Sequence, residues 1–110
     1  MSRQVNVDKT LVDFIRKLYF PKKLLIRILA RDSGWKTAKE VYEVFNAYCV
    51  ANGLEPLSFS SVRNYLIEFW RFGILESRLE VGRPMRRYYR IKDAELIESI
   101  FETYYPRWEL

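Results

Sequence analysis

Apolar residues recur at helical spacing from the start of the chain. Leu11, Val12, Phe14, Ile15, Leu18 and Tyr19 fall close to the i, i+3, i+4, i+7 spacing of one helix face and predict a helix over 8–20. Pro21 ends it, because the residue before a proline is pushed out of the helical region, and opens the next, because proline suits a first turn. That second helix runs from Lys22 to about Arg31. It buries Leu24, Leu25, Ile28 and Leu29 and turns Lys22, Lys23, Arg27 and Arg31 toward solvent or a partner. Thr37-Ala38-Lys39-Glu40 then reads as a capping box, in which the Thr37 hydroxyl accepts the Glu40 amide and the Glu40 carboxylate reaches back. It starts a third helix with Val41, Tyr42, Phe45, Tyr48 and Cys49 on one stripe, closed at Asn52-Gly53.

The fourth helix is the informative one. Ser58 is a good N-cap, and the segment runs to Phe72 with Gly73 past its end. At 100° per residue Val62, Tyr65, Leu66, Phe69 and Phe72 gather on one side. Ser60, Asn64 and Arg71 share a narrow arc opposite, flanked by Ser61, Arg63, Ile67 and Glu68. After Gly73 the chain alternates as strands do, over 74–81 and again over 88–92, around Gly82-Arg83-Pro84-Met85-Arg86-Arg87. A hairpin follows, with three arginines at its tip and Arg90 on the returning strand. A last helix over 93–104 buries Leu96, Ile97, Ile100 and Phe101 and exposes Glu95, Glu98 and Glu102, leaving a short tail at 105–110.

Length and composition narrow the chemistry. With 110 residues, 49% hydrophobic and 30% charged, the chain is expected to fold as a single domain spanning 1–110. The lone Cys49 permits no intrachain disulfide. With no histidine there is no Cys/His zinc site, Ser-His-Asp triad or Cys-His dyad, so neither an enzyme, a metal nor another cofactor is expected. Tyr88-Tyr89 among arginines lacks an acid-base partner and reads as hairpin packing with one ring inward. The apolar runs are too short for a membrane helix, and Met1-Ser2-Arg3-Gln4 lacks a signal-peptide core; the expectation is a cytoplasmic protein without a membrane partner.

The +5 net charge is unevenly spread. Residues 1–36 carry nine basic and three acidic groups, and 78–92 six and one, whereas 93–110 carry one and five. Two basic blocks beside an acidic tail are expected where one side faces a polyanion, although a solvated face gives charge runs more often.

Helix, helix, helix, short turn, capped helix and cationic hairpin is the element order of a winged helix-turn-helix domain. The expected fold is mainly α with a β-hairpin, a core over 21–92 and extra helices at both ends. The capped helix, 59–72, would enter a DNA groove. Ser60, Ser61 and Asn64 can donate or accept there, and Arg63 can bond guanine or phosphate. The wing, 82–90, would hold the backbone through Arg83, Arg86, Arg87 and Arg90, with Arg71 beside it and Lys22, Lys23 and Arg27 extending the basic surface. Glu68 would repel phosphate unless it pairs with Arg71 or accepts from cytosine. The competing reading is a protein-interaction module whose basic hairpin meets an acidic partner; the arginines favour double-stranded DNA, and no small-molecule substrate is expected.

The string Thr37-Ala38-Lys39-Glu40-Val41-Tyr42-Glu43-Val44-Phe45, followed by Gly53-Leu54-Glu55-Pro56-Leu57-Ser58 and Phe72-Gly73-Ile74-Leu75, resembles the C-terminal winged-helix domain of archaeal origin-recognition initiator proteins over about residues 21–92. The resemblance implies duplex binding. It assigns Ser60, Ser61, Arg63 and Asn64 to the groove and Gly82, Arg83, Arg86 and Arg87 to the wing, in DNA replication or transcription regulation. No G-x-x-x-x-G-K-[ST] loop is present, so an ATP-dependent initiator is not expected, and both an excised domain and a free-standing protein stay open. The first and last helices could pair two copies as a homodimer or fold back on their own core. Trp108 is the tryptophan that would need a partner.

Overall fold

A computed structural model of the chain describes residues 9–108, so Asp8 of the expected opening helix and the last two residues of the tail lie outside it. The elements follow as α1 (Lys9–Arg16), α2 (Phe20–Arg31), β1 (Lys36–Thr37), α3 (Ala38–Ala51), α4 (Phe59–Phe72), β2 (Leu75–Glu80), β3 (Arg86–Ile91) and α5 (Ala94–Tyr104). The first break comes earlier than Pro21 suggests. The Lys17 and Leu18 amides close α1 onto Asp13, Phe14 and Ile15, and Tyr19, extended at φ −68 and ψ 158, is the N-cap of α2. Pro21 therefore sits at the second helical position, where an amide would have no acceptor within the helix.

The sequence predicts one buried stripe on α2, but the helix is enclosed on most sides: Ile26 and Arg27 are buried along with Leu24, Leu25, Leu29 and Ala30. Helix α5 lies along the side expected to meet solvent. Its Phe101 ring is 5.1 Å from the Arg27 guanidinium, and its Glu98 carboxylate accepts from Arg27 at 3.0 Å. Arg27 therefore belongs to the α2–α5 seam, a correction to its place on the basic surface.

The caps follow the sequence closely. Thr37 and Glu40 form both bonds of the capping box, at 3.2 and 2.9 Å, and Ser58 accepts from the Ser61 amide at 3.1 Å. Helix α4 ends at Gly73 with φ 103, a left-handed conformation natural to glycine, and the Gly73 and Ile74 amides both donate back to Phe69. This turns the chain directly into β2.

The sheet is antiparallel with order β1-β3-β2. Strand β1, two residues long and unexpected, sets Lys36 and Thr37 opposite Tyr89 and Tyr88; the hairpin pairs Leu75 with Ile91 through Glu80 with Arg86. Strand β3 thus begins two residues before the expected Tyr88, inside the segment read as the turn. Buried Leu75, Tyr89 and Ile91 define the inner face of the sheet.

One core gathers Phe45, Phe69 and Phe101, its largest fully buried side chains, each contributing about 2–3 kcal/mol relative to exposure. Both flanking helices bury their apolar stripes in this chain: Leu11, Val12 and Ile15 from α1, and Ile97, Ile100 and Phe101 from α5. Phe14 stacks on Phe72 with centroids 3.8 Å apart, fastening α1 to α4. Trp108 finds its partners internally, lying parallel to Phe101 at 5.4 Å and meeting Phe20 edge-on at 5.6 Å. Among the described residues no helix is long and apolar enough to cross a membrane.

Candidate nucleic-acid interface

Helix α4 presents three sides. Val62, Leu66 and Phe69 are buried, which fixes the rotation of the helix and leaves Ser60, Arg63, Asn64 and Arg71 exposed. Ser61 is half-buried, and its hydroxyl accepts from the Ser58 hydroxyl at 3.1 Å, so it is partly engaged in the cap.

On the flank facing α2, Lys22 meets the Glu68 carboxylate at 2.9 Å and lies 5.0 Å from the Tyr65 ring centre. The partner of Glu68 is thus Lys22 rather than Arg71. This neutralises the carboxylate but also engages the lysine. Lys23 lies over Tyr105 at 4.7 Å.

The opposite flank borders a cleft of about 770 Å³ between the first turn of α3, helix α4 and strand β3. Arg63, Arg71, Arg86 and Arg87 line it together with Ile67 and Trp70; Lys39, Glu40 and Glu43 stand on the α3 side. Glu40 is occupied by the capping box. Arg87 is held in place, its Nη1 donating to the Ser77 hydroxyl at 3.0 Å while its guanidinium lies 5.0 Å from the Trp70 ring centre. Such a hydrogen bond and ring contact limit the rotamers of a long side chain, reducing the entropy lost when it grips an anion.

Alternation along β3 divides the arginines that the sequence reading placed together. Arg87, in line with buried Tyr89, faces α4, whereas Arg86, Tyr88 and Arg90 have the opposite parity. Arg86, at the start of the strand, still reaches the cleft rim. Arg90 does not line it: its Nε donates to Glu76 at 2.7 Å, and its guanidinium lies 4.4 Å from the Trp35 ring centre. Gly82 and Arg83 lie exposed in the connection at the hairpin tip.

Of the thirteen positions predicted from sequence, Arg63, Arg71, Arg86 and Arg87 come together around the cleft, with Ser60 and Asn64 on the adjoining crown of α4. Lys22, Lys23, Arg27 and Arg90 are engaged elsewhere. Trp70 and Ser77 were not among them, yet they hold Arg87. Their signal was present in the helical phase of Trp70 beside Arg63 and Ile67, and in the strand parity of Ser77. Cys49 is buried in the core, and burial pushes its thiol pKa up, away from reactivity.

No protein-family model matches the chain, and no curated protein does. Solved structures do. The ORC1 protein of Aeropyrum pernix in complex with DNA superposes with a TM-score of 0.70 at 21% identity, over 86% of this chain and 26% of that one. This chain therefore spans about a quarter of that protein's length. Diamide-treated YodB from B. subtilis gives 0.62 at 16% identity, covering 93% of this chain and 89% of its own. A PadR-family transcriptional regulator from Eggerthella lenta gives 0.51 at 17%, covering 86% and 75%. At these identities the likeness is one of fold, and with five helices and an antiparallel three-stranded sheet in this order the chain is a winged-helix domain, mainly α, with helices added at both ends.

Proposed function

We propose that this protein binds double-stranded DNA without catalysing a reaction on it, with α4 in a groove and the β2–β3 wing against the backbone. The observation that carries the reading is the cleft itself, where four arginines from α4 and β3 converge and one is held by Trp70 and Ser77. Phosphate contacts supply most of the affinity in such complexes, and guanidinium groups match phosphate geometry. Arg63, Arg71, Arg86 and Arg87 take that role, with Arg83 and the Gly82 turn at the wing tip. The exposed Ser60 and Asn64, with the free donor capacity of Ser61, supply base-edge hydrogen bonds, Asn being suited to adenine. A part in DNA replication or transcription regulation agrees with the proteins that share the fold, and a homodimer reading two half-sites is compatible with one groove helix per copy.

The test is fluorescence anisotropy of a labelled random duplex with the wild type and with Arg83/Arg86/Arg87→Ala at two salt concentrations. Wild type should bind near the micromolar range, and the variant should bind more weakly with a log K against log salt slope flatter by about 0.9 per lost contact. Absence of salt-dependent binding by the wild type would sink the DNA reading and turn attention to acidic protein partners.

A further inference from the structure

The outer face of the wing sheet carries a second arrangement of cations, on the side opposite the one that faces α4. Arg78 sits across from Tyr88 in the hairpin register, 5.5 Å from its ring centre and 4.8 Å from that of Trp35. Arg90 approaches the same tryptophan at 4.4 Å. Of the two carboxylates on this face, Glu76 is paired with Arg90, and Glu80 accepts from the Tyr88 hydroxyl at 3.1 Å, a contact that orients it without cancelling its charge. Arg78, by contrast, is exposed and has no carboxylate partner among the described residues.

We infer that this face binds single-stranded nucleic acid, with Arg78 as the anchoring residue. A guanidinium held over two rings keeps its N–H donors for an anion, and its planar cation can also support a base. A sheet face that combines aromatic rings with cations suits an unpaired strand, which offers both a phosphate and an unstacked base to each position. A duplex keeps its bases stacked inside and offers this face charge alone; an acidic peptide offers carboxylates with no flat ring to stack. The chemistry therefore favours the single strand. Because Arg78 and Arg87 lie on opposite faces of one hairpin, the strand and a duplex in the α4 cleft would occupy different surfaces. The inference does not rest on the duplex reading.

The experiment uses the full chain and a fluorescein-labelled twenty-residue oligothymidylate, with and without saturating unlabelled duplex. Arg78→Gln, a surface change that leaves the core intact, should weaken oligothymidylate binding about tenfold, the scale of one lost stacked base. It should also flatten the salt slope by about 0.7, the value for one single-strand phosphate contact, and leave duplex affinity unchanged. Tyr88→Leu should weaken the strand without changing the slope, which separates ring from charge. Arg83/Arg86/Arg87→Ala should reduce duplex binding far more than strand binding. The inference is overturned if duplex displaces the strand completely, if Arg78→Gln leaves strand affinity unchanged, or if poly-glutamate of equal charge competes as well as the oligonucleotide does.

Discussion

Removing Arg27 and removing Glu98 should have unequal effects, although they delete the same ion pair. The Arg27 side chain is 6% exposed and that of Glu98 29%. Deleting Glu98 leaves a guanidinium enclosed between α2 and α5 with no anion beside it. Breaking a buried pair in this way costs about 3–5 kcal/mol, and the lower end applies because Glu98 is partly hydrated. Deleting Arg27 leaves a carboxylate that still reaches water and still has Arg31 at 3.8 Å. Moreover, the Arg27 Nε is buried with no hydrogen-bond partner, a penalty of about 1–3 kcal/mol that disappears with the side chain. Methionine keeps an unbranched apolar stem against Phe101.

Arg27→Met should therefore lie within about 1 kcal/mol of wild type, while Glu98→Ala loses about 3 kcal/mol. With an m-value of about 1.5 kcal/mol/M, urea unfolding followed by circular dichroism should show the Glu98→Ala midpoint lower by about 2 M and the Arg27→Met midpoint moved by less than about 0.7 M. If Arg27→Met proves as destabilising as Glu98→Ala, the buried charge is itself stabilising and the reasoning fails. A second readout is independent of stability: duplex affinity of Arg27→Met should equal that of wild type, since the guanidinium is not at the surface.

Three further outcomes follow from local geometry. Gly73→Ala places a Cβ where no atom lies within 4 Å, so its cost is conformational, from φ 103; more than about 1 kcal/mol should be lost, seen as a thermal midpoint lower by at least about 4 °C. Thr37→Ala removes the acceptor for the Glu40 amide and should cost about 1 kcal/mol in urea unfolding, with Thr37→Ser restoring it. Cys49 has a raised pKa, so at any given neutral or mildly alkaline pH less of it is thiolate than of a free cysteine. Ellman's reagent should label it slowly in native protein and quickly only as urea approaches the unfolding midpoint; rapid native labelling would contradict the burial.

The parts legible in the sequence were those decided by neighbours in the chain. The capping box at Thr37, the Ser58 cap and the Gly73 stop depend on residues three or four apart, and each appears where the pattern put it. What escaped was decided across the fold. Strand β1 is two residues long, too short to carry an alternation, and exists because Tyr88 and Tyr89 offer it an edge. Helix α2 looked amphipathic because its second buried side contains Arg27, whose partner is 71 residues away. Glu68 and Arg71 have the spacing of a local pair, yet Lys22, 46 residues distant, takes the carboxylate. Arg86 and Arg87 read as turn residues because paired charges hide a period of two.

These pairings also locate the positive charge that remains free. Lys22, Arg27 and Arg90 each face a carboxylate at 3.0 Å or less, and a cation neutralised inside the chain has few counterions to release. Lys23 lies over a ring on the α5 side of the molecule. On the proposed duplex reading, five of the nine predicted cations remain, Arg63, Arg71, Arg83, Arg86 and Arg87, and Lys39, exposed on the α3 side of the cleft, adds a sixth. The log K against log salt slope should then be about −5.4, at about 0.9 per contact, whereas all nine predicted cations together with Lys39 would give about −9. Measured between 50 and 200 mM salt on a random duplex, a slope near the larger value would mean that the ion pairs open on binding. A slope near the smaller one, left unchanged by Lys22→Ala and flattened by Arg87→Ala, would mean that the internal pairs persist and that the cleft arginines carry the electrostatic part of the affinity.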